Sequence, residues 1–193
     1  AIVGRPTVGK STLLNAIVRD QRVMTGPEAG ITRDAIAVNW DYEGKRYQLV
    51  DTAGIRRKAK IQDTIERFSV DDSMRAIRLA QICILVLDSS MALEKQDLQI
   101  AARIIEEGRA LVIAMNKWDN IRDKNKTLEH FQYKLETSLS QIKQIPFVTL
   151  SALHGKNIPR LLETISQTYK IWNHRVSTGK LNRWLAGVES RNP

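Results

Sequence analysis

The stretch with the most evident chemistry is GRPTVGKST, at residues 4–12. Gly4, Gly9, Lys10 and Ser11 follow the spacing Gly-x-x-x-x-Gly-Lys-Ser, in which glycines let backbone N–H groups close around phosphate oxygens. Lys10 would reach the β- and γ-phosphates, and the Ser11 hydroxyl would bind Mg²⁺. The pattern therefore predicts a phosphate-binding loop made of Gly4, Arg5, Pro6, Thr7, Val8, Gly9, Lys10, Ser11 and Thr12.

A second candidate is DTAG, at residues 51–54, which closes an apolar run. A carboxylate at the end of a strand beside a phosphate loop can hold Mg²⁺, usually through water, so Asp51 is assigned to the metal site. The Gly54 N–H can bind a γ-phosphate and move when that group leaves, which makes Gly54 a catalytic candidate. Three neighbours are assigned to the same nucleotide-contacting segment: Thr52, Ala53 and Ile55.

The choice of base depends on NKWD, at residues 116–119. The Asp119 carboxylate can accept hydrogen bonds from N1–H and the exocyclic amine of guanine, whereas adenine would leave it unpaired. Asn116 and Lys117 would support the loop and pack on the base. Trp118 fits either a partial lid or surface packing, and packing is favoured. Guanine is therefore the predicted base.

Two weaker segments complete the set. SAL, at residues 151–153, follows an apolar run and would offer backbone N–H groups to the guanine carbonyl; its members are Ser151, Ala152 and Leu153. His154 comes next and is interpreted as an ordinary loop histidine, although it could line the base pocket. Thr32, within AGITRD at residues 29–34, would give Mg²⁺ a second hydroxyl when the γ-phosphate is present. We count Thr32 with Lys10 and Gly54 as catalytic, but an ordinary loop threonine fits the local sequence equally well.

The elements that must position these segments alternate along the chain. Short apolar runs predict strands, and segments of helical periodicity separate most of them, which predicts an α/β fold. The predicted strands are 1–3, 35–42, 46–51, 82–88, 110–116 and 146–151, and the predicted helices are 10–18, 64–79, 93–108, 126–142 and 158–175. Together they predict a six-stranded, mostly parallel sheet, with one antiparallel strand and helices on both faces.

Composition sets limits on the class of protein. The chain has 193 residues, a net charge of +9 and one cysteine, so an internal disulfide is excluded. No run approaches the ~18 apolar residues of a membrane span, and a cytoplasmic location is predicted. The positive charge favours an anionic partner such as RNA, but a solvated basic surface fits the charge equally well.

The five motifs, in this order, resemble those of the translation-factor class of small GTPases. GRPTVGKSTLLNA, AGITRD, DTAGIRRKAK, NKWD and NHRVSTGKLN together are similar to the second G domain of the EngA/Der family. The resemblance implies a P-loop NTPase G domain at 1–174, with 175–193 as a linker and the truncated start of a KH-like domain. It also implies an upstream G domain in the same protein, GTP/GDP and Mg²⁺ as ligands, and the large ribosomal subunit and its RNA as partners.

Two positions bear on hydrolysis. The family usually has asparagine at the position of Thr7, and in related GTPases that asparagine helps to bind a stimulatory K⁺; a threonine hydroxyl is shorter, which leaves K⁺ dependence open. Ile55 stands where many GTPases have a glutamine that orients the attacking water. A slow intrinsic rate, raised by a cation or a partner, is the prediction.

The function predicted from these residues is a GTP-hydrolysing switch in assembly of the large ribosomal subunit. One alternative is a nucleotide-gated RNA scaffold with very slow turnover, which Ile55 and Thr7 favour. A GTPase of tRNA modification or the cell cycle is a further alternative. A P-loop kinase acting on a small molecule is disfavoured because such kinases lack a guanine-reading carboxylate.

Overall fold

The computed structural model describes residues 1–20, 38–50, 70–139, 142 and 144–189. The helices are α1 (Lys10–Arg19), α2 (Val70–Leu79), α3 (Lys95–Glu106), α4 (Lys124–Ser138), α5 (Ile158–Trp172) and α6 (Thr178–Glu189). The strands are β1 (Ile2–Val3), β2 (Val38–Tyr42), β3 (Lys45–Leu49), β4 (Ile82–Asp88), β5 (Ala110–Asn116) and β6 (Phe147–Thr149). Two single 3₁₀ turns, Ser89–Met91 and Trp118–Asn120, follow β4 and β5.

Four strands form a parallel sheet in the order β1-β4-β5-β6. Every residue of β5 is buried, as expected for a central parallel strand covered on both faces. Alternate residues of β4 point to opposite sides: Ile84 and Val86 join a core cluster with α1 and α5, whereas Leu85 and Leu87 join a second cluster with α3 and α4. The predicted α/β fold with helices on both faces is confirmed.

The single six-stranded sheet is wrong in detail. β2 and β3 form a separate antiparallel pair, closed by a turn at Glu43 and Gly44, whose φ values are +50° and +71°, the left-handed region that a tight hairpin turn needs. Among the described residues, no ladder joins this hairpin to β1, which is two residues long and offers few groups for a second ladder. The hairpin packs through side chains instead, since Trp40, Tyr42 and Leu49 lie in the α1/α5 core cluster.

The described part of the chain has no helix that is long and apolar enough to cross a membrane. α6 follows α5, and its large apolar side chains are exposed; they are Leu181, Trp184, Leu185 and Val188.

Candidate nucleotide-binding site

Three of the predicted segments lie at one edge of the parallel sheet. The phosphate loop follows β1, NKWD begins with the last residue of β5, and SAL comes just after β6. The carboxyl edge of a parallel sheet is the usual place for a ligand. The segments predicted to complete the metal and γ-phosphate sites lie outside the described residues, so their roles stay predictions; these are Thr32, Asp51, Thr52, Ala53, Gly54 and Ile55.

The two loop glycines are required by close approach as well as by backbone geometry. Gly4 and Gly9 have φ values of +146° and +98°, and a Cβ at either position would overlap a neighbour. The overlap at Gly4 would be with the Val86 carbonyl of β4, and at Gly9 with the side-chain amide of Asn116. The glycines therefore let the loop pack directly on β4 and on the predicted base-binding segment.

Lys10 and Ser11, in the last part of this loop, are the first two residues of α1. Gly9 is the N-cap and has no side chain to bind the first-turn N–H groups, so these donors and the positive end of the helix dipole are available to a phosphate. Lys10 is buried, and its ammonium donates to the Arg5 carbonyl at 2.5 Å. The Ser11 hydroxyl is an oxygen ligand of the kind that Mg²⁺ prefers, and its role as a metal ligand stays a prediction.

The other loop residues divide between packing and exposure. Val8 is buried, whereas Thr7 and Thr12 are exposed. Thr7 has a φ of +63°, a strained value for a β-branched residue. The Arg5 side chain does not extend along the loop but binds Glu94 and Asp97 at the start of α3.

Asn116 joins the two halves of the site. Its side-chain amide donates to the Val8 carbonyl at 2.8 Å, and its side-chain oxygen accepts from the Ala152 N–H at 2.9 Å. Its own carbonyl accepts from the Ser89 hydroxyl at 2.6 Å. One buried amide thus connects the phosphate loop, the end of β5 and the segment after β6.

Replacing Asn116 by alanine should lower the free energy of unfolding by about 2–4 kcal/mol, since the Val8 carbonyl and the Ala152 N–H would lose buried partners. Guanine nucleotide affinity should fall as well, because both loops lose their common support. Urea denaturation with and without GDP measures both effects. Asn120→Ala, in the exposed 3₁₀ turn nearby, is the control that should change neither; equal behaviour of the two variants would contradict this role for Asn116.

Lys117 is placed by a partner that the sequence analysis did not single out. Its ammonium lies 2.8 Å from the Asp88 carboxylate, and Asp88 is paired with Asn116 in the β4–β5 register. Burial opposes ionisation of Asp88, but hydrogen bonds from Lys117 and Ser90 and the charge of Lys117 outweigh it, so the pKa of Asp88 lies below its usual range. Asp88 therefore holds Lys117 beside the predicted base-binding loop as an ion pair.

This pair makes stability depend on pH in a defined direction. Because the pKa of Asp88 is depressed in the folded protein, its contribution is present above the unfolded value of about 3.9 and is lost as pH falls through the folded value. Asp88→Asn should therefore have a lower free energy of unfolding than the wild type at neutral pH, and this difference should become smaller below about pH 4. Urea unfolding across a pH series measures the difference; a difference that does not change with pH would contradict the prediction.

Asp119 is an exposed residue, although only 22% of its side chain is accessible. A hydrogen bond from the Ser151 side chain is the main reason that its pKa is lowered, so the carboxylate is ionised and can accept at neutral pH. His154 lies close, with its Nε2 3.8 Å from an Asp119 oxygen. The histidine interpreted as an ordinary loop residue thus lies beside the predicted base-reading carboxylate.

The segment after β6 is held in a defined shape. Ser151 and Lys156 exchange two backbone hydrogen bonds of 3.2 and 3.0 Å, and the Ala152 N–H is already bound by Asn116. Leu153 is 74% exposed. The contact of this segment with the guanine carbonyl stays a prediction. Trp118 packs against the α3/α4 core cluster, in agreement with the favoured interpretation.

The sequence analysis did not identify the residues whose side chains bind the predicted site residues Asn116, Lys117 and Arg5. These residues are Asp88, Ser89, Glu94 and Asp97. A signal for Asp88 was present, because it ends an apolar strand just as Asn116 does. Asp97 gave none, since an acidic residue in the first turn of a helix is normally a capping residue.

The fold and the site define a GTPase domain, and residues 1–117 match the family of 50S ribosome-binding GTPases. The chain belongs to this family.

Within this family, the chain is similar over its whole length to proteins named GTPase Der. Over all of its 193 residues the chain is 53% identical to GTPase Der of Mesorhizobium japonicum, so the predicted relationship to the EngA/Der family is confirmed. The match spans 40% of that relative's length.

Solved structures support the fold. Translation elongation factor SelB from Methanococcus maripaludis, in complex with the GTP analogue GppNHp, has a TM-score of 0.65 at 16% identity, over 91% of this chain and 34% of that one. Era in complex with MgGDPNP and nucleotides 1506–1542 of 16S ribosomal RNA has a TM-score of 0.63 at 24% identity, over 87% of this chain and 55% of that one.

Proposed function

We propose that the chain is the G domain of a GTP-hydrolysing switch that assists assembly of the large ribosomal subunit in bacteria. The observation that carries the proposal is the bridge made by Asn116. It brings the base-reading segment against the phosphate loop, with 2.8 Å to Val8 and 2.9 Å to Ala152. A nucleotide that spans the two segments is the ligand this arrangement fits best.

Each predicted site residue would have a separate role in nucleotide binding or hydrolysis. The N–H groups at the start of α1 would hold the phosphates, and Lys10 would stabilise the negative charge that develops on them. Asp119 would select guanine. Ser11, with Thr32 and Asp51, would hold Mg²⁺, which when bound neutralises charge on the β- and γ-phosphates. The Gly54 N–H would bind the γ-phosphate, and Gly54 would move when that group leaves.

The assignment to the ribosome rests on similarity. The matching family is described as 50S ribosome-binding, the closely similar relative is a GTPase Der, and the net charge of +9 suits an RNA partner. Residues 1–174 would form the G domain and 175–193 the linker and the start of a KH-like domain, next to an upstream G domain in a longer cytoplasmic protein. A nucleotide-gated scaffold with very slow turnover is the second candidate, favoured by Ile55 and Thr7.

Multiple-turnover GTP hydrolysis distinguishes the GTP-hydrolysing switch from the nucleotide-gated scaffold. We expect slow hydrolysis with Mg²⁺ that rises when K⁺ replaces Na⁺ or when large ribosomal subunits are added, because Ile55 cannot orient water. A rate that is the same under all of these conditions would refute completion of the site by a cation or partner. Tight GDP binding without turnover would favour the scaffold.

A further inference from the structure

The Arg5 side chain makes three hydrogen bonds to one segment outside the phosphate loop. Its Nε donates to Asp97 at 2.9 Å, its Nη1 to Glu94 at 2.6 Å, and its Nη2 to the Met91 carbonyl at 2.9 Å. All three guanidinium nitrogens are thus used on one target, the segment that leads into α3. The planar fork of arginine suits such a fixed contact, which a lysine cannot reproduce.

The target of this contact is anchored in the core. Asp97 has a fully buried side chain, and its second oxygen accepts from the Glu94 N–H at 3.0 Å. Further along α3, Ala101 and Ile104 are fully buried in the cluster against β4 and β5. A carboxylate buried this deeply normally needs a cationic partner, and Arg5 supplies it.

The backbone of Arg5 contacts Lys10, the lysine predicted to bind the phosphates. Its backbone carbonyl accepts from the Lys10 ammonium at 2.5 Å. The loop between the two residues contains left-handed conformations at Thr7 and Gly9, so its shape depends on external support. The chain of contacts therefore runs from the core of α3, through Arg5, to the lysine that would reach the phosphates.

We propose that Arg5 is a positioning residue, which fixes the phosphate loop on α3 so that the Arg5 carbonyl holds the Lys10 ammonium in place for the β- and γ-phosphates. Arg5 does not contact the nucleotide through its side chain. This inference rests on the proposed function for its catalytic effect, and on the loop geometry alone for its effect on phosphate binding.

The test compares Arg5→Lys with Arg5→Gln. Lysine keeps a positive charge beside Asp97 but cannot make all three hydrogen bonds of the guanidinium group. Arg5→Gln should be clearly less stable than the wild type, and Arg5→Lys should recover most of that stability. Both variants should lose GTP turnover by roughly 10- to 100-fold, with a smaller change in KM. Arg103→Lys and Arg103→Gln, which alter an exposed pair with Glu106 on the same helix, should match the wild type.

A binding measurement separates this inference from the proposed function. GDP affinity should fall in Arg5→Lys while guanosine affinity stays within about 2-fold, because the base site is untouched. If the wild type binds GDP but does not hydrolyse GTP, the proposed hydrolysis fails and the GDP-to-guanosine ratio still tests Arg5. If Arg5→Lys restores both stability and the wild-type ratio, Arg5 merely neutralises Asp97, and the inference is wrong.

A double-mutant cycle gives a second, independent test. If Arg5 and Asp97 act as one unit, the Arg5→Lys/Asp97→Asn double variant should lose no more GDP affinity than the worse single variant. Fully additive losses would show that the two residues act separately, which contradicts the proposed chain of contacts.

Discussion

Replacing Lys10 by alanine is expected to reduce GTP turnover by roughly 10²- to 10³-fold, the usual cost of removing one preorganised donor from a site of developing charge. The residue is 4% exposed and begins α1 at the end of the phosphate loop. Its ammonium is already held inside the loop by the Arg5 carbonyl, so little reorganisation is needed when phosphates arrive.

The experiment has a matched control in the same chain. Lys124 also occupies the first position of a helix, but it is exposed and far along the sequence from the phosphate loop. Steady-state hydrolysis should therefore be unchanged in Lys124→Ala and nearly abolished in Lys10→Ala. If Lys10→Ala kept its turnover within a few-fold of the wild type, Lys10 would not be the phosphate-binding lysine.

Replacing Asp119 by asparagine should exchange guanine for xanthine as the preferred base. The carboxylate would accept two hydrogen bonds from guanine, whereas the amide would accept one and set its own donor against the exocyclic amine. Xanthine has a carbonyl at that position, which the amide can bind. Hydrogen bonds to charged groups contribute about 1.5–3 kcal/mol each, so guanine affinity should fall roughly 10²- to 10³-fold, with a matching gain for xanthine.

Competition between GDP and xanthosine diphosphate measures this exchange. Asp123→Asn is the control, because Asp123 caps α4 by accepting from the Lys126 N–H, and asparagine caps a helix about as well. That variant should keep the guanine preference. A guanine preference that persists in Asp119→Asn would show that another group reads the base.

The fold could be predicted from the sequence where the physical signal was local. The buried runs of β4 and β5 and the glycine spacing of the phosphate loop each determine their own structure. The separation of the β2–β3 hairpin from the parallel sheet could not be predicted, because it depends on how the two-residue β1 pairs. A pocket of about 710 Å³ lies between β3 and the β1–β4 edge, where the single sheet had been expected.

The same division applies to the site. Lys10, Asn116 and Asp119 were predicted because a motif fixes their roles at fixed spacing. Asp88 and Asp97 were not, since each acts on a motif residue far away in the chain: Asp88 on Lys117, and Asp97 on Arg5. Supporting residues of this kind are selected by tertiary position, which a single sequence does not display.

If the phosphate loop and NKWD form one guanine nucleotide site, the chain must distinguish guanine from adenine nucleotides. Titration calorimetry of the wild-type chain with GDP and with ADP, both with Mg²⁺, measures this discrimination. We expect GDP to bind at least roughly 10³-fold more tightly than ADP, because adenine would leave Asp119 unpaired. Similar affinities for the two nucleotides, or binding of neither, would contradict it.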